Sequence, residues 1–199
     1  MSIRQTTCTD EELMVRYGQG DHQAFETLYA RHKDSLYRYF CRQLSDMNLA
    51  QDLYQELWSR VIKSSVQYEA HAKWTTWAYR IAHNLVIDHI RVLKPSEQWN
   101  EEDHSKESNL RGNAFLSPDK ESEHGEMAER LKVCISQLPQ AQQEVFLLNE
   151  ETGMTLKAIA DVVSVSVEAA KSRLRYARSQ LQDCLKLYRG SFSTTEGDK

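Results

Sequence analysis

A row of basic and hydrogen-bonding side chains near the C-terminus has the residue types that DNA recognition requires. Between Val167 and Arg189 there are six basic and two acidic residues, a local charge of +4. Helical spacing puts part of this segment on one outward face: Glu168, Lys171, Ser172, Arg175 and Arg178. Lysine and arginine neutralise phosphates, and side chains near the start of such a helix can reach base edges. A solvated helix surface would need more acidic i,i+4 partners, so the pattern favours DNA binding.

The residues around this row predict a helix-turn-helix. Apolar residues form the inner face of a short helix: Leu156, Ile159, Ala160 and Val163. Val165 would fill the turn, and the inner face of the next helix would consist of Val167, Ala170, Leu174, Ala177 and Leu181. Small Ala160 and Ala170 allow the two helices to cross closely. Ser164 occupies the turn position where glycine is usual, which predicts a strained turn.

A second candidate surface lies on a predicted helix over about 73–93. Trp74, Trp77, Ala78, Ile81 and Leu85 cluster on one side of a helical wheel. Roughly opposite lie Lys73, Thr76, Arg80, His83, Asn84, Ile87 and Arg91. A basic stripe of this kind, preceded by a loop that carries Tyr68, suits a surface that binds backbone and unstacked bases. The two tryptophans share the apolar side, which favours core positions over stacking platforms.

A polar stripe on the preceding helix consists of Asp52, Gln55, Glu56 and Ser59. From spacing alone, such a stripe is more often solvated than functional. The seven histidines of the chain show no HExxH or similar ligand spacing, which disfavours a metal-dependent enzyme. We expect no catalytic residues, no metal, no cofactor and no small-molecule substrate.

The four cysteines, Cys8, Cys41, Cys134 and Cys184, lie far apart and include no CxxC pair. A disulfide framework or a zinc site would favour closer spacing. Cys134 and Cys184 fall at apolar helical positions. The sequence therefore predicts buried free thiols at these two positions.

The segments that carry these surfaces are predicted to be helical throughout. Gly20-Asp21 is a stop-and-start signal with Asp21 as N-cap, and the apolar spacing from Phe25 to Leu44 predicts one amphipathic helix or two nearly continuous ones. Asn48 with Gln51 resembles a capping box for the next helix. The helix over 73–93 should end before Pro95. Further helices are expected at about 123–137, 140–150, 155–163 and 166–188, and no alternation typical of strands occurs.

Charge and composition divide the 199-residue chain. From Pro95 to Glu126 there are nine acidic and three basic residues, a charge of −6, so the total of −4 leaves +2 elsewhere. Residues 95–122 lack periodicity and are too long for a loop inside a compact domain. We expect an all-α protein with helical domains at 1–94 and 123–189, an acidic flexible linker at 95–122 and a polar tail at 190–199. No apolar run reaches bilayer length, which predicts a cytoplasmic protein that is not embedded in a membrane.

Two sets of motifs together resemble the extracytoplasmic-function sigma factors of the sigma-70 family. Residues 52–58 (DLYQELW), 74–84 (WTTWAYRIAHN) and Ile87-Asp88 resemble region 2 of that group. Leu138-Pro139, residues 144–148 (EVFLL) and the segment ending in 171–178 (KSRLRYAR) resemble region 4. Both sets occur in the family's order and cover nearly the whole chain apart from the linker and tail.

The resemblance implies a division of labour between the two domains. Asp52, Gln55 and Glu56 match positions that dock on the clamp helices of core RNA polymerase. The loop before the 73–93 helix would capture a flipped base of the −10 element, and Lys73, Thr76, Arg80, His83, Asn84 and Arg91 would follow the DNA strand. The second domain would read the −35 element through Glu168, Lys171, Ser172, Arg175 and Arg178. The acidic linker would lie in the basic channel later taken by nascent RNA.

The resemblance also implies control by an anti-sigma factor, which could hold the chain at the membrane, and a role in a stress response. The sequence departs from the family at Gln143 and Tyr176, where basic residues are frequent, and Ala169-Ala170 replaces bulkier residues, so the −35 preference should differ. An alternative is an ordinary helix-turn-helix regulator whose first half binds a ligand or dimerises. That alternative gives no role to the Asp-Gln-Glu stripe and the Trp-rich helix.

Overall fold

The computed structural model describes residues 8–93 and 123–190, and every regular element within these ranges is helical. The elements run α1 (Asp10–Gly18), α2 (His22–Gln43), α3 (Met47–Ser64), a 3-10 turn (Ser65–Gln67), α4 (Trp74–Leu93), α5 (Glu123–Ser136), α6 (Gln140–Thr152), α7 (Leu156–Val162) and α8 (Val167–Gly190). The all-α prediction is confirmed. The predicted linker and the tail beyond Gly190 lie outside the described residues, and the domain boundaries stay a prediction.

Local hydrogen bonds explain where several helices begin. Thr9 and Glu12 form a capping box at the start of α1, each side chain accepting a hydrogen bond from the other's backbone N–H, at 3.2 and 2.9 Å. Asp21 caps α2, as predicted, because its Oδ1 accepts a hydrogen bond from Ala24 N at 3.2 Å. The capping box predicted at Asn48 is wrong, since α3 already begins at Met47. The ends of α5 to α8 fall within two residues of the predicted positions.

The described helices form two compact units, one built on α1, α3, α4 and most of α2, the other on α5 to α8. Aromatic side chains hold the first unit together. Trp58 of α3 packs against Phe25 and Tyr29 of α2, with ring centroids 5.8 and 4.8 Å apart, and stacks on Trp74 of α4 at 6.2 Å. Trp74 is fully buried, so its predicted place in the core is confirmed.

In the second unit α8 packs against α5, α6 and α7. Its core contains Ile135, Leu138, Leu147 and Leu181, and a disulfide between Cys134 and Cys184 lies in the same cluster. The predicted free thiols are therefore wrong. The two cysteines are 50 residues apart in sequence, but side-by-side packing of α5 and α8 brings their Cα atoms to 6.0 Å. The spacing of the cysteines along the sequence could not predict this contact between two helices.

Within the two described ranges, no helix has both the length and the apolar character that a bilayer crossing would need.

Candidate nucleic-acid interface

The turn between α7 and α8 sets the direction of the basic row. Ser166 caps α8, its Oγ accepting a hydrogen bond from Ala169 N at 3.1 Å. At the end of α7, Val165 N donates to Ala160 O at 3.0 Å around Ser164, whose φ of 55° is left-handed. A residue with a Cβ is strained in this conformation, so the strained turn predicted at Ser164 is confirmed.

The inner faces of α7 and α8 are buried largely as predicted. Seven of the predicted residues are at most 6% exposed: Ile159, Ala160, Val163, Ala170, Leu174, Ala177 and Leu181. Leu156 and Val165 are half-buried. Val167 is 40% exposed, and its predicted inner position is wrong, because it is the first residue of α8 and lies at the edge of the buried arc.

The outer face of α8 presents the predicted polar row. Glu168, Lys171 and Arg175 are exposed, and Ser172 is half-buried beside them. The Arg175 guanidinium lies 4.9 Å from the ring centroid of Tyr176, a cation–π contact that orients it. This row follows the capped start of α8, the part of a recognition helix that meets base edges.

Arg178 differs from the rest of the row because α6 holds it. Its guanidinium donates hydrogen bonds to Asn149 Oδ1 at 3.0 Å and to Glu150 Oε1 at 2.9 Å. These two partners could not be predicted from the sequence, since residues 28 and 29 positions away give no periodic signal. Arg173, one of the six basic residues of the segment, is only 8% exposed, so its charge is not on the outer face.

The exposed face of α4 is narrower than predicted. Lys73, just before the helix, and Arg80, Asn84 and Arg91 within it are exposed and recur at spacings that bring them to one side. Thr76 and His83 are 8% and 9% exposed, so their predicted outward position is wrong.

The burial of Thr76 and His83 follows from the number of neighbours around α4. Its residues pack against α1, α2 and α3, through contacts such as His32 with Trp74 at 4.6 Å between ring centroids. The buried residues Trp74, Thr76, Ala78, Tyr79, Ala82, His83, Leu85, Val86 and Ile90 consequently cover more than half of the helix circumference. A wheel with a single apolar side underestimates this arc.

The loop that precedes α4 is held by an aromatic pair. The rings of Tyr68 and Trp77 lie edge to face with centroids 5.3 Å apart. Burial, with the negative charges of Glu11 and Asp10 adding to it, raises the pKa of Tyr68 to about 12. Among the described residues its buried hydroxyl has no hydrogen-bond partner.

The polar stripe of α3 lies on one side of the helix, as its spacing predicts. Asp52 and Gln55 are exposed, Glu56 and Ser59 are half-buried, and the opposite side buries Leu57. Arg60 Nε donates to Glu56 Oε1 at 2.9 Å, and this hydrogen bond lowers the pKa of the Glu56 carboxyl. The binding role of this stripe stays a prediction.

The part of the chain that the structure describes contains no group of three or more His, Cys, Asp or Glu side chains arranged to hold a metal ion.

Comparison with protein-family models matches each unit separately. The model described as Sigma-70 region 2 matches residues 28–94, and the model described as Sigma-70, region 4 matches residues 128–181. Together these matches span more than half of the chain. They include the polar stripe of α3, the exposed face of α4 and the helix-turn-helix.

Characterised relatives align over most of both chains. The ECF RNA polymerase sigma factor SigW of Bacillus subtilis is 28% identical, over 84% of this chain and 92% of the relative. The RNA polymerase sigma-H factor of Pseudomonas aeruginosa is 26% identical, over 88% and 93%.

Two solved structures have a similar fold. CnrH, solved with the cytosolic domain of CnrY, superposes with a TM-score of 0.62 at 21% identity, covering 89% of this chain and 97% of CnrH. The sigma factor RpoE of Bartonella quintana, solved with the anti-sigma factor NepR, superposes with a TM-score of 0.63 at 19% identity, covering 81% and 96%.

Proposed function

Because the chain belongs to the extracytoplasmic-function group of the sigma-70 family, we propose that three surfaces divide its work as a promoter-specific initiation factor. The outer row of α8 reads the −35 element, the exposed face of α4 follows the −10 strand, and the polar stripe of α3 docks on core RNA polymerase. The observation that carries this assignment is the outer row of α8, which lies opposite a buried inner face and directly after a capped helix start.

The position of each side chain on α8 gives it a different task. Lys171, Ser172 and Arg175 lie within the first three turns, away from buried Ala170 and Leu174. Only this side can enter the major groove, so these residues contact base edges. Arg178 lies further along α8, beyond the residues that reach base edges, so we assign it to a phosphate, which would replace Glu150 as the partner of its guanidinium.

On α4 the proposed DNA surface consists of Lys73, Arg80, Asn84 and Arg91. Three positive charges along one exposed side suit the backbone of a single strand. Thr76 and His83 are left out of this surface because they are buried.

On α3 the proposed docking residues are Asp52, Gln55 and Glu56. Asp52 and Gln55 are exposed, and the Glu56 side chain remains 43% exposed beside Arg60. Exposed carboxylates on a rigid helix can pair with basic residues of a partner. Residue by residue, this assignment follows the resemblance to region 2.

We further propose that an anti-sigma factor controls the chain and that the chain acts in the cytoplasm with the polymerase. The support is the solved RpoE, which has a similar fold and is bound to the anti-sigma factor NepR. The chain acts by recognition and leaves the chemistry of RNA synthesis to the polymerase, without catalytic residues, a cofactor or a small-molecule substrate of its own.

The test compares promoter binding by the free chain and by the chain with core polymerase. The basic patches are small and the net charge is −4, so the free chain should bind duplex promoter DNA weakly. Addition of core polymerase should produce a stable, sequence-specific complex. Tight, specific binding by the free chain, unchanged by polymerase, would favour the ordinary helix-turn-helix regulator instead.

A further inference from the structure

Helix α1 lies before both family matches and has no part in the proposed function so far. Its Glu11 nevertheless reaches the start of α4, 63 residues away in sequence. Glu11 Oε1 accepts a hydrogen bond from the backbone N–H of Trp74 at 2.6 Å. The first N–H groups of a helix have no partner within the helix, and a carboxylate also interacts favourably with the positive end of the helix dipole. Glu11 therefore caps α4 from outside.

The other end of α1 touches the 3-10 turn that follows α3. A Cβ added to Gly18 would lie 2.4 Å from the carbonyl oxygen of Ser65, closer than real Cβ atoms approach a backbone. Only glycine allows the end of α1 to come this close. Helix α1 thus contacts both ends of the segment 65–74, the connection between α3 and α4.

The middle of this segment also interacts electrostatically with α1. The negative charges of Glu11 and Asp10 contribute, after burial, to the raised pKa of Tyr68, and α1 packs against the 3-10 turn that Tyr68 follows. Tyr68 in turn packs against Trp77 of α4.

Helix α1 is itself fixed to α2, so it can act as a rigid support. Asp10 Oδ1 accepts a hydrogen bond from Arg31 at 2.8 Å, and Asp10 Oδ2 is hydrogen-bonded to His32 Nε2 at 2.7 Å. The His32 ring lies against Trp74, the residue that Glu11 caps.

We propose that α1 is a brace that holds segment 65–74 in the shape in which it meets the −10 DNA, with Glu11 as its positioning residue. The inference rests on the proposed function, because it assigns −10 recognition to this segment and to α4. Glu11 acts through the backbone of Trp74 and contacts no DNA itself. Without it, the start of α4 and the loop before it would populate other conformations, and discrimination between −10 bases would weaken.

The test uses reconstituted transcription with core polymerase and promoters randomised at −10 behind a constant −35 element. Glu11→Ala should lower output about fivefold, the effect of losing an N-cap of about 1 kcal/mol, and should flatten the −10 preference. Glu11→Gln keeps an acceptor oxygen and should restore most of both. Binding to core polymerase and the −35 preference should not change.

Glu26→Ala is the matched control, since it removes the same charge from an exposed position on α2, where the carboxylate accepts a hydrogen bond from Gln23, and leaves α1 and Trp74 untouched. It should keep the −10 preference of the unchanged chain. Gly18→Ala disturbs the opposite end of the brace and should flatten the preference as Glu11→Ala does. An unchanged −10 preference in Glu11→Ala, or equal flattening in Glu26→Ala, would overturn the proposal.

Hydrogen exchange on the free chain separates the brace from the proposed function. Glu11→Ala should speed exchange of the amides from Tyr68 to Trp77 and leave those of α5 to α8 as they were. If the unchanged chain directed no initiation, the proposed function would fail while this measurement still decided the brace. Equal exchange rates in both proteins would refute it.

Discussion

Reduction of the Cys134–Cys184 bond should destabilise the second unit and leave the first unaffected. The bond closes a loop of 50 residues and joins α5 to α8 within the same apolar cluster. Loop-closure entropy for this length corresponds to about 4 kcal/mol, and measured disulfides usually contribute about 2 to 4 kcal/mol. Because about 1.4 kcal/mol corresponds to a tenfold change in an equilibrium constant, protection of the core amides should fall by roughly thirtyfold to a thousandfold.

The assay is hydrogen exchange of the full chain, read by mass spectrometry with and without a thiol reductant. Amides in α5, α6 and α8 report on the affected unit, and amides in α3 and α4 serve as the internal control. A Cys134→Ser/Cys184→Ser variant should match the reduced chain and should not respond to reductant. A Cys8→Ser/Cys41→Ser variant should respond as the unchanged chain does.

Two results would refute this reasoning. Four titratable thiols in the denatured, non-reduced chain would show that the bond does not form. A bond that forms but can be reduced without loss of protection in α5 to α8 would show that the apolar cluster alone holds α5 in place.

Three further predictions concern the interfaces and the turn. Arg175→Ala should weaken promoter binding by about 1 to 3 kcal/mol and relax the base preference at one −35 position. Arg178→Ala should weaken binding to all promoters alike and reduce the salt dependence of binding. Both effects are measured by selection over randomised −35 sequences at two salt concentrations. If Arg175→Ala lost affinity for all promoters equally and kept its base preference, Arg175 would contact a phosphate and not a base. The double variant Asp52→Lys/Glu56→Lys should bind core polymerase more weakly by about 2 to 5 kcal/mol. Circular dichroism should show unchanged helical content. An unaltered affinity for core polymerase would rule out the α3 docking surface. Ser164→Gly should raise the free energy of unfolding by about 1 kcal/mol, because glycine adopts the left-handed conformation without strain. Hydrogen exchange of the amides in α7 and α8 measures this change. A loss of stability would show that Ser164 is unstrained.

The sequence predicted helix positions well because their signals are local. The cap at Asp21, the end of α4 before Pro95 and the αL position at Ser164 depend on residues within a few positions of each other. Local signals also gave one wrong helix start. The polar pair Asn48 and Gln51 predicts a cap at Asn48, but α3 begins one residue earlier, at Met47.

Features that depend on tertiary contacts could not be predicted in this way. The disulfide, the anchor of Arg178 on Glu150 and the cap of Glu11 on Trp74 join residues 28 to 63 positions apart. Burial on α4 could not be predicted for a related reason, because a helix with neighbours on several sides buries polar residues such as Thr76 as well as its apolar stripe.

The exposed basic residues of the interfaces could be predicted from the sequence because burying a charge is costly. Lys73, Arg80, Lys171 and Arg175 all lie at the surface, whereas the buried Arg173 is an exception to this rule. The charge pattern by itself favours DNA binding by Lys171 and Arg175, whereas the roles of Lys73 and Arg80 at the −10 element come from the family resemblance.

The proposed function of this chain is to select promoters for core RNA polymerase. The most direct measurement is sequencing of transcript 5′ ends made by core polymerase, with and without the chain, from a genomic promoter library. We expect new, discrete start sites that share one −10 and one −35 element and that depend on the chain. With Arg175→Ala these start sites should lose preference at one −35 position. Transcripts indistinguishable from those of core polymerase alone would contradict the proposed function.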